Sequence, residues 1–328
     1  MHTEKYYKSI SPKTLKIVFM GTPEFAVESL RALVEGEYNV VGVVTMPDKS
    51  VGKHHSVLQA SPVKEYALSQ SLPILQPEKL KDPEFLAALQ AWNADLQIVV
   101  AFRMLPEVVW DMPRLGTFNL HASLLPQYRG AAPINWAIIN GEKETGITTF
   151  FLTHEIDTGQ VIYQEKTPIA ETDNAGIIHD KLMVLGAQLV VKTVENIQNT
   201  RPIPQKDMLA EGEESKPAPK IFKETCRIDW NKTTDEIYNF IRGLSPYPAA
   251  WTDLSIGKDE VLQLKIFEAE KIRRKHDSPA GAILSDGKNF LDISTGDGFI
   301  RLKSIQQAGK KRMPINEFLR GKAFASHL

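Results

Sequence analysis

The chain has 328 residues, 42% of them hydrophobic and 24% charged, which fits a folded globular protein of one large or two medium domains. Its net charge of −1 excludes a polycation, so any contact with nucleic acid must come from a local basic patch. The single cysteine, Cys226, excludes an intramolecular disulfide and zinc sites that need two or more thiolates. No window of about 18 apolar residues predicts a membrane-spanning helix, and the N-terminus lacks an apolar secretory signal, so we expect a cytoplasmic protein.

Strands and helices alternate along the first 200 residues. Apolar, β-branched runs predict strands at residues 15–20, 40–45, 95–101 and 116–121, and helical patterns lie at residues 25–34, 62–69 and 83–92. Thr22 and Asp82 are placed to cap two of these helices, each with a proline in the first turn. The polar stretch at residues 47–59 is predicted to be a mobile loop. The alternation indicates an α/β fold with an open, mostly parallel, Rossmann-like sheet.

The character of the sequence changes after residue 200. Residues 201–220 are rich in proline, lysine and glutamate and are predicted to form an exposed linker between domains at 1–200 and 221–328. In the second domain one helix is predicted at residues 234–242. Strand patterns then flank the turn signals Asp286-Gly287 and Thr295–Gly298, which predicts hairpins. We expect a small all-β domain of the OB-like barrel type.

The second domain is mildly basic. From residue 217 onward it carries 19 Lys and Arg against 14 Asp and Glu, a net charge of +5. Two clusters concentrate the positive charge, Arg273-Arg274-Lys275 and Lys310-Lys311-Arg312. A solvated face and a phosphate-binding surface are both open interpretations of these clusters.

The side chains with the clearest chemical potential lie on the strand at residues 116–121. Phe118 and Leu120 share one face of this strand, and Asn119 and His121 share the other. The strand ends directly after His121, and ligands of open α/β sheets bind at the carboxyl ends of strands. Asp157, in a loop that follows another apolar strand, is a third candidate. Spacing alone leaves two interpretations open, a catalytic trio or separate capping and packing roles.

The pattern Asn119-x-His121-x-Ser123-Leu124-Leu125-Pro126, followed by Arg129-Gly130 and by Asp157-Thr158-Gly159, resembles the signature of the folate-dependent formyltransferases. The wider pattern covers nearly the whole chain and resembles the branch of that family that acts on methionyl-tRNA. The resemblance implies a catalytic domain at residues 1–200 and a tRNA-binding domain at 221–328. It also implies transfer of a formyl group from 10-formyltetrahydrofolate to the amino group of initiator methionyl-tRNA, by a monomer.

The resemblance places the catalytic roles on Asn119, His121 and Asp157. An amine attacks the formyl carbon, and the resulting oxyanion would accept hydrogen bonds from the Asn119 amide and from protonated His121. Asp157 would stabilise the imidazolium and relay the proton of the amine. This reaction needs no metal, and none is expected.

Binding residues also follow from the resemblance. A loop that shapes the folate side of the pocket is expected at Ser123, Leu124, Leu125 and Pro126. The pterin cleft is expected to be lined by Arg103, Met104 and Leu105. Contacts with tRNA phosphates are expected from the loop at residues 47–60 and from the second domain, through Lys49, Lys53, Lys310, Lys311 and Arg312.

Two alternatives stay open at this level. One is formyl transfer to a small amine, such as an amino sugar or a purine precursor. A basic second domain argues against it, because an enzyme for a small acceptor has less use for such a domain. The other is a non-catalytic module that binds tRNA or folate, and the presence of Asn119, His121 and Asp157 together counts against this one.

Overall fold

The computed structural model describes residues 10–51, 57–256 and 260–320. These residues form two compact units. The first unit is drawn from Met1–Arg129, Gly146–Thr167 and Asp180–Pro217, and the second from Gly130–Thr145, Pro168–His179 and Ala218–Leu328. Each unit therefore combines three segments, whereas the domain limits derived from the sequence are contiguous. Those limits, with their linker at 201–220, stay a prediction.

The strands up to residue 200 are, in chain order, β1 (Ile17–Gly21), β2 (Val40–Val44), β3 (Lys49–Val51), β4 (Val57–Gln59), β5 (Ile74–Leu75), β6 (Leu96–Val100), β7 (Thr117–His121), β8 (Arg129–Gly130), β9 (Glu144–Phe151) and β10 (Val161–Pro168). The α-helices of this stretch are α1 (Glu24–Glu35), α2 (Pro62–Ser69), α3 (Pro83–Ala91), α4 (Glu107–Trp110), α5 (Pro133–Ile139) and α6 (Ala175–Asn196). The strands and helices predicted over this stretch are confirmed, and their ends move by a residue or two.

A seven-stranded sheet with the order β10-β9-β7-β6-β1-β2-β5 carries the first unit. Strand β1 runs parallel to β2 and β6, and β7 runs parallel to β6. Strand β9 is antiparallel to β7, so the sheet is mixed. Every residue of β1 and β6 is buried, as expected for strands that are covered on both faces. Because β7 lies between β9 and β6, its carboxyl end lies inside the sheet rather than on an outer strand.

Two helix starts show where the capping predictions succeed and fail. The Asp82 side chain accepts a hydrogen bond from the backbone N–H of Glu84 at 3.0 Å, which confirms the cap of α3. The predicted Thr22 cap of α1 is wrong. That helix begins at Glu24 after Pro23, and the Thr22 hydroxyl accepts the backbone N–H of Met46 instead, at 3.4 Å. Thr22 lies one position too early in the chain to reach the first free N–H groups of the helix.

The stretch predicted as a mobile loop at residues 47–59 contains a short hairpin. Strands β3 and β4 pair in antiparallel register, with Lys49 opposite Gln59 and Val51 opposite Val57. The loop prediction is therefore wrong for these two strands, whose three residues each are too short to show a clear alternation. The residues that join them, including Lys53, lie outside the described residues.

The second unit contains β11 (Pro217–Ala218), whose Ala218 belongs to it, then α7 (Thr234–Leu244), β12 (Ala250–Ile256), β13 (Glu260–Ile272), β14 (Ile283–Ser285), β15 (Leu291–Ser294), β16 (Phe299–Gln307), β17 (Met313–Pro314) and α8 (Ile315–Leu319). Its antiparallel sheet has the order β12-β13-β16-β15-β14, with β17 added to β16, and curls into a half-barrel. The hairpins predicted around Asp286-Gly287 and Thr295–Gly298 are β14–β15 and β15–β16. The predicted fold class, a Rossmann-like α/β sheet followed by a small β-barrel domain, is confirmed.

An amphipathic helix closes the core of this half-barrel. Helix α7 begins with a capping box between Thr233 and Glu236 and buries Ile237 and Ile241 against the sheet.

Across residues 10–51, 57–256 and 260–320, we find no helix of the length and apolar character that crossing a membrane would require.

Candidate active site

Strand β7 presents Asn119 and His121 at the carboxyl edge of the sheet. In the pairing with β9, Asn119 lies opposite Phe150 and His121 lies opposite Thr148. His121 is only 7% exposed, and its ring meets that of Phe150 edge to face at 6.4 Å. A buried aromatic neighbour restricts the ring to one orientation, so the strand positions the imidazole before any ligand binds.

The imidazole of His121 lies between a carbonyl and a carboxylate. Its Nε2 atom lies 2.9 Å from the backbone oxygen of Tyr128, and a carbonyl can only accept, so Nε2 carries a proton. Its Nδ1 atom lies 3.8 Å from Oδ2 of Asp157. The structure thus brings together two of the three predicted catalytic residues, from a strand and from a loop 36 positions later in the chain.

Asn119 contributes an amide with spare hydrogen-bonding capacity. Within the part of the chain that the structure describes, its Oδ1 atom is buried and has no hydrogen-bond partner. Leaving a buried acceptor unsatisfied costs about 1–3 kcal/mol, so such atoms are rare in folded proteins. An unsatisfied acceptor on the same strand face as His121 is consistent with an oxygen that accepts a hydrogen bond from a substrate.

The loop that carries Asp157 is tightly constrained. Asp157 adopts a left-handed backbone conformation with φ of 55°. Two residues later, a Cβ atom on Gly159 would lie 1.6 Å from the backbone oxygen of Phe151, so only glycine fits there. The side-chain amide of Gln205 donates to the backbone oxygens of Asp157 and Gly159, at 2.8 Å each. Gln205 was not predicted as a site residue from the sequence.

The loop at residues 123–126 is fixed from within. The Ser123 hydroxyl donates to the backbone oxygen of Gln127 at 2.7 Å, and both Ser123 and Leu125 are fully buried. The Thr148 hydroxyl donates to the Ser123 oxygen at 2.6 Å and accepts from the Leu125 N–H at 3.2 Å. The Gln164 amide donates to the Leu125 oxygen at 2.6 Å. Contacts from this loop to a ligand must therefore come mainly from its backbone and from the half-buried Leu124.

Neither Thr148 nor Gln164 was predicted from the sequence. Thr148 gives no distinctive signal, because the same strand also carries Thr145 and Thr149. Gln164 gives none, since a glutamine on an edge strand is ordinarily solvated.

The three residues predicted to line a pterin cleft have different environments. Arg103 donates to the backbone oxygens of Glu78, at 2.8 Å, and Pro77, and burial lowers the pKa of its guanidinium. Leu105 is buried, whereas Met104 is 72% exposed. Met104 and Leu105 line a cleft of about 630 Å³.

His154 is separate from the imidazole that meets Asp157. Its side chain is exposed, its Nε2 atom lies 3.3 Å from a carboxylate oxygen of Glu107, and its ring packs edge-on against Trp110. His154 therefore has a surface and packing role.

The predicted phosphate contacts of the second unit divide into two kinds. Lys310 and Lys311 are exposed in the turn between β16 and β17. Arg312 instead pairs with Glu268, donates to the Ser304 hydroxyl at 2.7 Å and lies over the ring of Phe267. The two lysines are therefore better placed than Arg312 to meet a phosphate.

Sequence comparisons identify the family. The formyl transferase family matches residues 15–194, and the formyl transferase C-terminal domain matches residues 220–323. A methionyl-tRNA formyltransferase of Bacteroides thetaiotaomicron is 64% identical to this chain, over 94% of this chain and 95% of its own length. The chain belongs to the methionyl-tRNA formyltransferase family. A second member, from Flavobacterium johnsoniae, is 53% identical over 95% of this chain and 97% of its own.

Solved structures show the same fold at lower sequence identity. An N-formyltransferase from Helicobacter canadensis, in complex with folinic acid and dTDP-3-aminofucose, superposes with a TM-score of 0.62 at 22% identity, over 89% of this chain and 99% of that chain. HypX from Aquifex aeolicus, in complex with tetrahydrofolic acid, gives a TM-score of 0.59 at 20% identity. The match covers 95% of this chain but 49% of HypX, so this chain spans about half the length of HypX.

Proposed function

We propose that this protein transfers the formyl group of 10-formyltetrahydrofolate to the amino group of initiator methionyl-tRNA. The observation that carries the proposal is the imidazole of His121, which lies between the Tyr128 carbonyl and the Asp157 carboxylate, on the same strand face as Asn119. Relatives named methionyl-tRNA formyltransferase, 64% identical over almost the whole chain, support the choice of donor and acceptor.

In the proposed reaction the methionyl amine attacks the formyl carbon, and a new C–N bond forms. The carbonyl oxygen becomes negative, and the Nδ2–H of Asn119 and the Nδ1–H of the His121 imidazolium donate hydrogen bonds to it, while the Nε2–H of His121 stays on the Tyr128 carbonyl. Asp157 accepts the proton that the amine loses, directly or through water, and returns it to the nitrogen of the leaving folate. The bond between the formyl carbon and that nitrogen breaks, which releases tetrahydrofolate and formylmethionyl-tRNA.

Folate contacts are proposed at Ser123, Leu124, Leu125, Pro126, Arg103, Met104 and Leu105. Contacts with tRNA phosphates are proposed at Lys49, Lys53, Lys310, Lys311 and Arg312, of which Lys53 lies outside the described residues. The cytoplasmic location and the monomeric state also remain predictions.

The small-amine alternative is less well supported. Solved sugar N-formyltransferases with this fold are 17–22% identical to this chain, far below the 64% of the methionyl-tRNA relatives. The non-catalytic alternative requires the site to have decayed, whereas the imidazole and carboxylate remain in contact distance.

A direct test mixes the purified protein with 10-formyltetrahydrofolate and methionyl-tRNA, uncharged tRNA, or amino sugars. We expect labelled formyl only on methionyl-tRNA. Formyl transfer to a small amine would replace the proposed acceptor, and no loss of formyl from folate with any acceptor would reject the enzyme.

Replacing Thr148 with valine should weaken folate binding. Valine has the same shape but can neither donate to the Ser123 oxygen nor accept from Leu125, so we expect the free energy of unfolding to fall by about 1–3 kcal/mol. We also expect the KM for 10-formyltetrahydrofolate to rise several-fold. Urea denaturation and steady-state kinetics measure the two effects. Thr149→Val is the matched control, because its buried hydroxyl bonds Thr193 instead. If the two variants have equal KM values for 10-formyltetrahydrofolate, the loop at residues 123–126 does not contribute to folate binding.

Replacing Lys49 and Lys53 with alanine should weaken the interaction with tRNA. Each lysine that neutralises a phosphate adds to the salt dependence of binding. We expect a several-fold higher KM for methionyl-tRNA and a smaller slope of log KM against log salt concentration, with kcat nearly unchanged. Lys192→Ala, which removes an exposed lysine paired with Glu165, is the control. If the double variant keeps the wild-type slope, the β3–β4 hairpin does not contact tRNA.

A further inference from the structure

The segment predicted as an exposed linker contains one fully engaged buried amide. Gln205 begins a 3-10 helix, Gln205–Met208, and is 2% exposed although the residues after it are exposed. Its Nε2 atom donates to the backbone oxygens of Asp157 and Gly159. Its Oε1 atom accepts from Nε and Nη2 of Arg129, at 2.9 and 2.7 Å. Both ends of the amide are therefore occupied, and Arg129 determines which end faces the loop.

This amide donates hydrogen bonds to the backbone of the loop that carries Asp157. The carboxylate lies on a residue in a left-handed conformation, which is less favourable than the ordinary one for a residue other than glycine. Surrounding contacts must maintain such a conformation, and the two hydrogen bonds from Gln205 lie on either side of Thr158. A displacement of about 1 Å in a catalytic group can cost roughly 100-fold in rate.

The same segment also contacts the support of His121. The backbone N–H of Tyr128 donates to the oxygen of Lys216 at 2.6 Å, and the carbonyl of Tyr128 accepts the Nε2–H of His121. The side chain of Gln127 donates to Glu213 and accepts from the Lys216 N–H. Residues 205–216 thus touch both the loop that carries Asp157 and the residue that orients the imidazole.

We propose that Gln205, oriented by Arg129, is a positioning residue that holds the Asp157 carboxylate against His121. Residues 205–216 are then part of the catalytic apparatus rather than a passive connection. The inference rests on the proposed function, since it assigns Gln205 a role in that reaction.

Gln205→Ala and Gln205→Glu test this role. The glutamate keeps the size of the side chain and pairs with Arg129, but its carboxylate cannot donate to the two loop carbonyls. We expect both variants to lower kcat roughly 10- to 100-fold while the KM for each substrate changes less than about twofold. Gln90→Ala, which removes an exposed glutamine on α3, should match the wild type. Gln205→Ala removes more buried contacts than Gln205→Glu and is more prone to unfold. If the alanine variant does not fold, the kcat of the glutamate variant tests the inference.

Repeating the substitution in a protein that already lacks the Asp157 carboxylate distinguishes a positioning role of Gln205 from general destabilisation of the fold. In an Asp157→Asn protein, measured under single-turnover conditions, Gln205→Glu should add less than a twofold further loss, because the group it positions is already gone. An equal loss in both backgrounds would overturn the inference, as would a wild-type kcat for both Gln205 variants. These outcomes require an active wild-type enzyme, so absence of formyl transfer by the wild type would reject the proposed function instead.

Discussion

Replacing His121 with asparagine is expected to lower kcat for formyl transfer by about 1,000-fold or more. The imidazole faces the Asp157 carboxylate in the proposed site and, in its protonated form, carries a positive charge toward the oxyanion. Loss of one oxyanion donor typically costs about 100- to 1,000-fold, and the proton path through Asp157 is interrupted as well. Steady-state and single-turnover assays with methionyl-tRNA measure the loss.

The affinity for folate should remain largely intact in this variant, because the loop at residues 123–126 is fixed by Thr148 and Gln164 rather than by His121. A binding titration with a non-reactive folate and a thermal melt distinguish lost chemistry from lost folding. His154→Asn is the matched control, since this exposed histidine pairs with Glu107. A His121→Asn protein with near wild-type kcat would remove the imidazole from the mechanism.

Replacing Asn119 with aspartate is expected to have a comparable effect and a distinctive pH dependence. Aspartate has the same shape, but its carboxylate would place a negative charge where the oxyanion develops. We expect kcat at neutral pH to fall by about 1,000-fold, with a smaller loss for Asn119→Ala, which only removes a donor. Activity should partly recover as the pH falls, because a protonated carboxyl group is neutral and can donate again.

The measurement is kcat for both variants across the pH range in which the wild type is stable. Asn196→Asp, at an exposed position on α6, tests whether an added carboxylate alone alters the profile. An Asn119→Asp protein that is no slower than Asn119→Ala at neutral pH would contradict the placement of this amide beside the oxyanion.

The architecture and part of the site follow from local sequence patterns. Runs of apolar, β-branched residues predict β1, β2 and β6, since strands covered on both faces must be apolar throughout. Alternation along β7 predicts that Asn119 and His121 share a face and end at the sheet edge, because successive side chains of a strand point to opposite sides. The cap at Asp82 could also be predicted from local sequence, because the N–H group that it binds lies only two residues away.

The loop pattern made Asp157 the third candidate and the family resemblance gave it a catalytic role, but neither showed what holds it in place. The amide of Gln205 reaches Asp157 across 48 positions in the chain, and Thr148 reaches Ser123 across 25. Such hydrogen bonds have no periodic signature, because they depend on which loops the folded sheet brings together. The composition of residues 201–220 even indicates solvent exposure, which conceals a buried glutamine.

The sequence by itself therefore determined the order of strands and helices, the fold class and the face on which Asn119 and His121 lie, since these depend on spacing between near neighbours. Only the tertiary structure decided that Asp157 meets His121 and that Asn119 keeps an unsatisfied oxygen. It also decided that Gln205, bonded to Arg129, holds the loop that carries Asp157. Those contacts arise when backbone and side-chain groups distant in sequence must satisfy one another in a buried site, where each unmet hydrogen bond is costly.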